Sequence, residues 1–379
     1  MFKRGSYFYY ALSNGMFYFS WGMFASIISV FLAGKNCSAT QISLITSAAS
    51  LFAMVFQPVT GFLADKIQSP KKVATVCLVL ATICGIGFAY SNNFILLFLM
   101  NGLAQGFLNG TVALSDRLAV ASPFPFGTIR FWGSLLYAIA AQMSGFVYDN
   151  ISPVMNYYIF AFGLIITVFG FIGMKDAIPN SSSDNQVTIG AAFKTLIHNK
   201  KFVLFTAINC LYMGSHTAQF TYMPLFIKQL GGTTTLVGTT LLLSTLFEIP
   251  AVFFSDRIFK KISYRNLMVF ACGLTILRYV WYSTLPSPNA IMAAFFFQGL
   301  TSIVMILVSV RIVIDIVDEN YVNSAYGISA MLARGLFALT FVIGFGRILD
   351  MFPGTTGFQY VYWIISVTNV IALILATRF

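Results

Sequence analysis

Polar residues divide this chain into a series of long apolar runs. Each is close to the ~20 residues that a helix needs to cross the hydrocarbon core of a bilayer. Runs near 6–33, 40–64, 73–90, 94–115, 126–148 and 153–174 form a first set. Runs near 202–227, 234–255, 264–284, 289–314, 322–346 and 357–377 form a second. The one long polar stretch, Lys175 to Lys201, separates the sets and contains Pro179-Asn180-Ser181-Ser182-Ser183-Asp184-Asn185, a linker composition. The pattern predicts an all-α membrane protein with 12 transmembrane helices in two six-helix bundles. Residues 1–174 form the first bundle, 175–201 a linker and 202–379 the second.

Composition agrees with the pattern. Hydrophobic residues make up 58% of the 379 and charged residues only 9%, with a mean hydropathy of +0.83. Soluble domains carry about 25% charged residues, so a water-facing surface is excluded. The net charge of +11 comes from Lys and Arg flanking the apolar runs, which argues against nucleic acid as a partner. Basic residues fall on alternate loops. Lys3, Arg4, Lys66, Lys71 and Lys72 share one side with Lys175, Lys194, Lys200, Lys201, Arg257, Lys260, Lys261 and Arg265. The loops near Ser91–Asn93 and Pro286–Asn289 carry none. The positive-inside rule then makes the termini and linker cytoplasmic, in a multi-pass protein of the cell membrane. The run after Lys3 and Arg4 is too long for a signal peptide and lacks a small-residue cleavage site, so it reads as the first span. Five scattered cysteines show no metal spacing or disulfide framework.

The halves repeat one another. Phe62-Leu63-Ala64-Asp65-Lys66-Ile67 returns as Phe253-Phe254-Ser255-Asp256-Arg257-Ile258, and Ala89-Tyr90-Ser91 as Trp281-Tyr282-Ser283. Repeated six-helix halves imply a solute site at mid-membrane between them. The stretch from Gly61 through Asp65 to Lys71-Lys72 resembles the loop signature of the major facilitator superfamily. The resemblance implies the major facilitator fold, and gating roles for Gly61, Asp65 and Asp256. Gly61 is expected to allow close helix approach, and Asp65 to pair with a basic group or a helix end. Phe126-Gly127-Thr128-Ile129-Arg130-Phe131-Trp132-Gly133-Ser134, Phe247-Glu248-Ile249-Pro250 and Gly273-Leu274-Thr275-Ile276-Leu277-Arg278 resemble the fifth, eighth and ninth helices of the lactose-permease-like branch. That branch holds oligosaccharide, nucleoside and phenylpropionate proton symporters. Its sugar permeases place a histidine and a glutamate on the tenth helix, whereas this chain has Phe297-Gln298-Gly299-Leu300-Thr301.

Charged residues inside spans cost about 2.5–3.5 kcal/mol each on insertion scales, so each needs a partner, a wet cavity or a function. In the first half, Asn101, Gln105 and Asn109 recur at helical spacing and lead to Asp116, beside a parallel stripe of Gly102, Gly106 and Gly110. Asp116 and Arg130 are placed to meet across adjacent antiparallel spans, with Tyr137 two turns beyond Arg130. Interhelical hydrogen bonds, a static ion pair and a core aromatic are the alternative readings of these groups. In the second half, Glu248 is a candidate proton carrier and Arg278 its expected counter-charge, with Arg334 as another partner. His216 lies on one face with Tyr212 and Gln219, and His216 and Asp116 are further proton-coupling candidates. Arg130, Asp116, Tyr137, Asn101, Gln105, Asn109, Arg278, Gln298 and Arg334 form the expected solute-binding set.

No phosphate loop, metal cluster or nucleophile–base pair is present in the sequence. The expectation is a monomeric, cofactor-free secondary transporter rather than an enzyme or an ATP-driven pump. Its partners are a small solute, protons and the bilayer. Proton-coupled uptake of a sugar or oligosaccharide comes first, and a nucleoside or aromatic acid second. A proton-coupled exporter is the third reading, although the fifth span lacks the glycine-proline kink of such exporters.

Overall fold

The computed structural model describes residues 3–175, 195–253, 262–318 and 322–379, apart from the side chains of 249–253, 323 and 324. Most of the linker expected over 175–201, and the second loop repeat around Asp256, lie outside the described residues.

Among these residues twelve long helical spans follow the apolar runs. The first, α1 (Tyr7–Gly34), bends where Ile27 leaves helical geometry, with φ −120° and ψ 12°. It is followed by α2 (Ala39–Ile67), α3 (Pro70–Tyr90), α4 (Phe94–Val120), α5 (Phe126–Asn150) and α6 (Met155–Gly173). The second half holds α7 (Lys200–Gln229), α8 (Thr234–Phe253), α9 (Tyr264–Ser283) and α10 (Pro288–Ile316). Then α11 runs from Val322–Ala330 through a π-helical stretch, Met331–Phe337, into Ala338–Met351, and α12 is Thr355–Thr377.

Eight spans are long and apolar enough to cross a membrane by length and composition alone. Of the others, α5, α7 and α9 carry Arg130, His216 and Arg278, whose polarity lowers the apolar signal. Several starts are capped by the residue that sequence chemistry favours. Asn93 Oδ1 accepts from the Ile95 amide at 2.9 Å, and Ser69 and Ser287 each precede a proline in the first turn.

Two compact units result. The first comprises Met1–Cys37, Gln41–Ser182 and Thr233–Leu242, and the second Ser38–Thr40, Ser183–Gly232 and Leu243–Phe379. Within the first, α1 packs on α5 and α6, and α3 on α4 and α6. Within the second, α7 packs on α11 and α12, and α9 on α10 and α12. Each contact of the first unit thus returns six helices later, which is the internal repeat seen in three dimensions. Two carboxylates repeat in the same way. Asp149, at the end of α5, accepts from the backbone amide of Thr235 at 2.6 Å and from its hydroxyl at 2.8 Å, capping α8. Asp350, at the end of α11, accepts from the amides of Ala39 and Thr40 at 2.8 and 2.9 Å, capping α2. An anion at a helix N-terminus satisfies amides that have no partner within the helix.

The outward faces are apolar. Val76, Val79 and Ile83 project from α3, and Trp363, Val367 and Ile371 from α12, all exposed. Spaced at helical intervals, these side chains suit lipid rather than water.

Candidate solute site

In the first unit the charged pair forms as the spacing suggests. Arg130 Nη1 lies 3.7 Å from Asp116 Oδ1, with both side chains about one-third exposed at 39% and 34%. That distance is an ion pair without a hydrogen bond. The hydrogen bond of Arg130 goes instead to the hydroxyl of Tyr18 on α1, and the guanidinium lies 4.1 Å from the centre of that ring. Tyr18 is itself stacked on Trp21 at 6.0 Å. One turn before Tyr18, Asn14 is buried, and neither amide atom has a partner among the described residues. Gly133 makes this arrangement possible: a Cβ there would stand 2.5 Å from Asn14 Oδ1 and 2.7 Å from the Tyr18 ring. Tyr137, two turns past Arg130, lies against Gly22 of α1. Asn14, Tyr18, Asp116 and Arg130 therefore converge in one polar patch with donors, acceptors and aromatic faces.

The polar stripe of α4 divides in two. Asn101 is fully enclosed and donates to the Ile45 carbonyl of α2 at 2.6 Å, so it ties helices together. Asn109 donates to the Gln105 carbonyl of its own helix at 2.8 Å, and Gln105 is buried. The Gly102, Gly106 and Gly110 stripe meets Phe52, Phe56 and Thr60 of α2, as small residues at a membrane helix contact should.

In the second unit, Gln298 Nε2 lies 3.1 Å from His216 Nε2 and donates to Gln219 Oε1 at 3.2 Å. His216 stacks on Tyr212, with ring centres 6.2 Å apart and 13° between planes. Arg278 is 4% exposed, and none of its three guanidinium nitrogens meets a hydrogen-bond acceptor among the described residues. It lies over the rings of Tyr279 and Tyr282 at 4.7 and 5.9 Å, and both phenol oxygens are likewise unpartnered. Arg334 is exposed, on the π-helical stretch of α11, a backbone irregularity common at functional sites. The charges of Arg278 and Arg334 both act on His216.

Glu248 does not pair with either arginine in this structure. Its described partner is the Ser302 hydroxyl of α10, at 3.4 Å. The expected counter-charge role of Arg278 is therefore unfilled here. The helices that carry Glu248 and Ser302 approach closely because residue 299 is glycine. A Cβ there would stand 2.3 Å from the Ser244 carbonyl oxygen.

Of the gating set, Asp65 accepts from Arg117 of α4 at 2.7 Å, with Asp65 68% exposed. Gly61 differs from expectation: among the described residues nothing lies within 4 Å of the position its Cβ would take, so none of them makes a close helix approach there. Asp256 lies outside the described residues. Tyr18, Tyr279 and Tyr282 escape a reading of the sequence. A tyrosine in an apolar run gives no sign of whether its hydroxyl faces a cation, lipid or packed protein.

A family model described as the MFS_1 like family matches residues 7–360. The maltose permease of Geobacillus stearothermophilus is 24% identical over 370 residues, spanning 96% of this chain and 92% of that protein. A probable 3-phenylpropionic acid transporter of Escherichia coli (strain K12) is 22% identical over 381 residues, spanning 97% and 96%. The crystal structure of the nucleoside transporter NupG matches with a TM-score of 0.85 at 17% identity, over 98% of each chain, which is a likeness of fold.

Proposed function

Because the chain belongs to the MFS_1-like family of the major facilitator superfamily, we propose that this membrane transporter takes up a small polar organic solute by proton-driven symport, its halves alternating access to the two sides. The cell membrane, with both termini cytoplasmic, is its proposed location, and the monomer its proposed unit. The observation that carries the reading is the patch of Asn14, Tyr18, Asp116 and Arg130. An arginine steadied by a carboxylate and an aromatic ring in a membrane helix keeps donors free for a solute, at a cost that structure alone does not require. Glu248 is the group we assign to the proton, because a single weak hydrogen bond and no ion pair hold it among the described residues.

Two chemistries are represented among the relatives, a sugar and an aromatic acid, and each relative aligns over more than nine-tenths of this chain. The test is uptake of a labelled panel of sugars, nucleosides and aromatic acids into proteoliposomes, with and without an imposed inward proton gradient. Accumulation of a panel member above its external concentration, abolished by a protonophore, is the expected result. Uptake that equilibrates without accumulating, or that needs sodium, overturns proton-driven symport. Efflux-directed accumulation overturns uptake.

A further inference from the structure

The two units treat their membrane arginines differently. Arg130 in the first has Asp116 at 3.7 Å. Arg278 and Arg334 in the second have no carboxylate within ion-pair distance among the described residues, where the two ion pairs are Arg117–Asp65 and Arg130–Asp116. Glu248, the acidic side chain in the interior of the second unit's spans, is held by Ser302 instead.

An arginine cannot shed its charge in a protein. Leaving one buried without an anion or acceptor forfeits the attraction that would repay its desolvation. Three guanidinium nitrogens of Arg278 are in that state among the described residues, and the neighbouring Tyr279 and Tyr282 offset the charge in part, through their ring faces and phenol dipoles. Other buried polar atoms of this unit lack partners among the described residues: Gln298 Oε1, Gln219 Nε2 and the phenols of Tyr279 and Tyr282. Arg334 is exposed and has no ion-pair partner among the described residues, so its planar donor fork can meet a ligand. The half-buried His216 ring is within electrostatic reach of both cations and meets Gln298 through Nε2 at 3.1 Å.

We infer that the second unit holds an anion site, in which Arg334 and Arg278, with His216 and Gln298, select a solute bearing a carboxylate. The inference rests on the transport reading above and narrows its solute class from polar organic molecules to organic anions. The exposed Arg334 supplies the direct bidentate contact. Buried Arg278 supplies a fixed positive field that the low-dielectric surroundings screen poorly. An anion entering with one proton would also cross without net charge.

The test compares carboxylates with neutral isosteres on purified full-length protein. 3-Phenylpropionate is paired with 3-phenylpropanamide, and glucuronate with glucose, with maltose added as a neutral solute. Binding is read from the shift in thermal unfolding. Transport is read from uptake into proteoliposomes above protein-free liposomes. At least one carboxylate should bind about tenfold or more tightly than its neutral partner. Arg334→Gln should reduce that discrimination to less than about threefold, the loss falling mainly on the carboxylate. Arg278→Gln should do the same where it folds. The exposed Arg334 position keeps the test decisive where it does not. Equal binding of carboxylate and isostere, binding of the neutral solutes alone, or full discrimination in Arg334→Gln overturns the anion site. Discriminating binding with uptake indifferent to a proton gradient overturns the symport reading and leaves the anion site standing. Proton-driven uptake of maltose or glucose alone does the reverse.

Discussion

Arg130 makes its hydrogen bond and its ring contact with one residue, Tyr18, and its ion pair with another, Asp116. The geometry uses the guanidinium plane: the flat cation covers the phenol ring while its edge points at oxygen. Lysine offers a point charge on a flexible stem and reproduces only the Coulombic part. Arg130→Lys should therefore transport at less than about one-tenth of the parent rate, close to Arg130→Ala, with initial uptake rate as the measurement. Lysine activity near the parent's would reduce Arg130 to a neutraliser of Asp116. This pair was legible in the sequence, because two charges 14 residues apart on consecutive antiparallel spans have one economical place to meet. Tyr18 was not, lying 112 positions from Arg130 in a run of interchangeable aromatics. Arg278 shows the same limit from the other side. Its presence in a span was plain, yet its isolation depends on how α8 and α9 are rotated. Hydropathy does not set that rotation when lipid and protein interior are both apolar.

Helix positions came through far better than helix contacts, because the bilayer forces long apolar runs on the chain whatever the neighbours are. The small-residue rule then succeeds or fails position by position. At Gly110, a Cβ would stand 2.8 Å from Thr60, whereas Gly61 and Gly273 face open space. Gly299 is the sharpest case in the second unit, since a Cβ would meet the Ser244 carbonyl oxygen, a backbone atom that cannot rotate away. Gly299→Ala should force α8 from α10 and destabilise the protein by about 1–3 kcal/mol, measured as a lower midpoint of thermal unfolding in detergent. Gly273→Ala should leave the midpoint unchanged or raise it, because alanine relieves the helix of glycine's flexibility without meeting a neighbour. Equal effects of the two substitutions would deny the close approach. Asp65 and Arg117 join the ends of α2 and α4 by an exposed bridge, worth at most about 1 kcal/mol. Asp65→Asn should thus hardly change thermal stability or solute affinity. If the bridge helps hold one access state, the same variant should slow transport severalfold. Equal loss of binding and transport would make Asp65 a folding residue.

At the scale of the whole molecule, a symporter needs a group that carries a proton and a reason for the empty and loaded carriers to behave differently. The chain lacks the tenth-helix histidine and glutamate of the sugar permeases it resembles, with Gln298 and Thr301 near those places. Glu248 stands on the neighbouring α8, facing α10 through Ser302, and no described cation holds it ionised by direct contact. Glutamine there keeps the shape and can still bond to Ser302, but it is fixed in the uncharged form. Exchange of solute across the membrane requires only that the loaded carrier reorient, so it tolerates a permanently neutral residue. Net accumulation requires the proton to leave on the inner side, so it does not. Glu248→Gln should preserve counterflow of labelled solute in proteoliposomes at a rate within about threefold of the parent, while gradient-driven accumulation falls to equilibration. Loss of both activities, with binding intact, would mean that the carboxylate is needed for reorientation itself. Accumulation equal to the parent's would remove Glu248 as the coupling site and pass that role to Asp116, whose neighbour Arg130 lies at 3.7 Å, or to His216 beside Gln298.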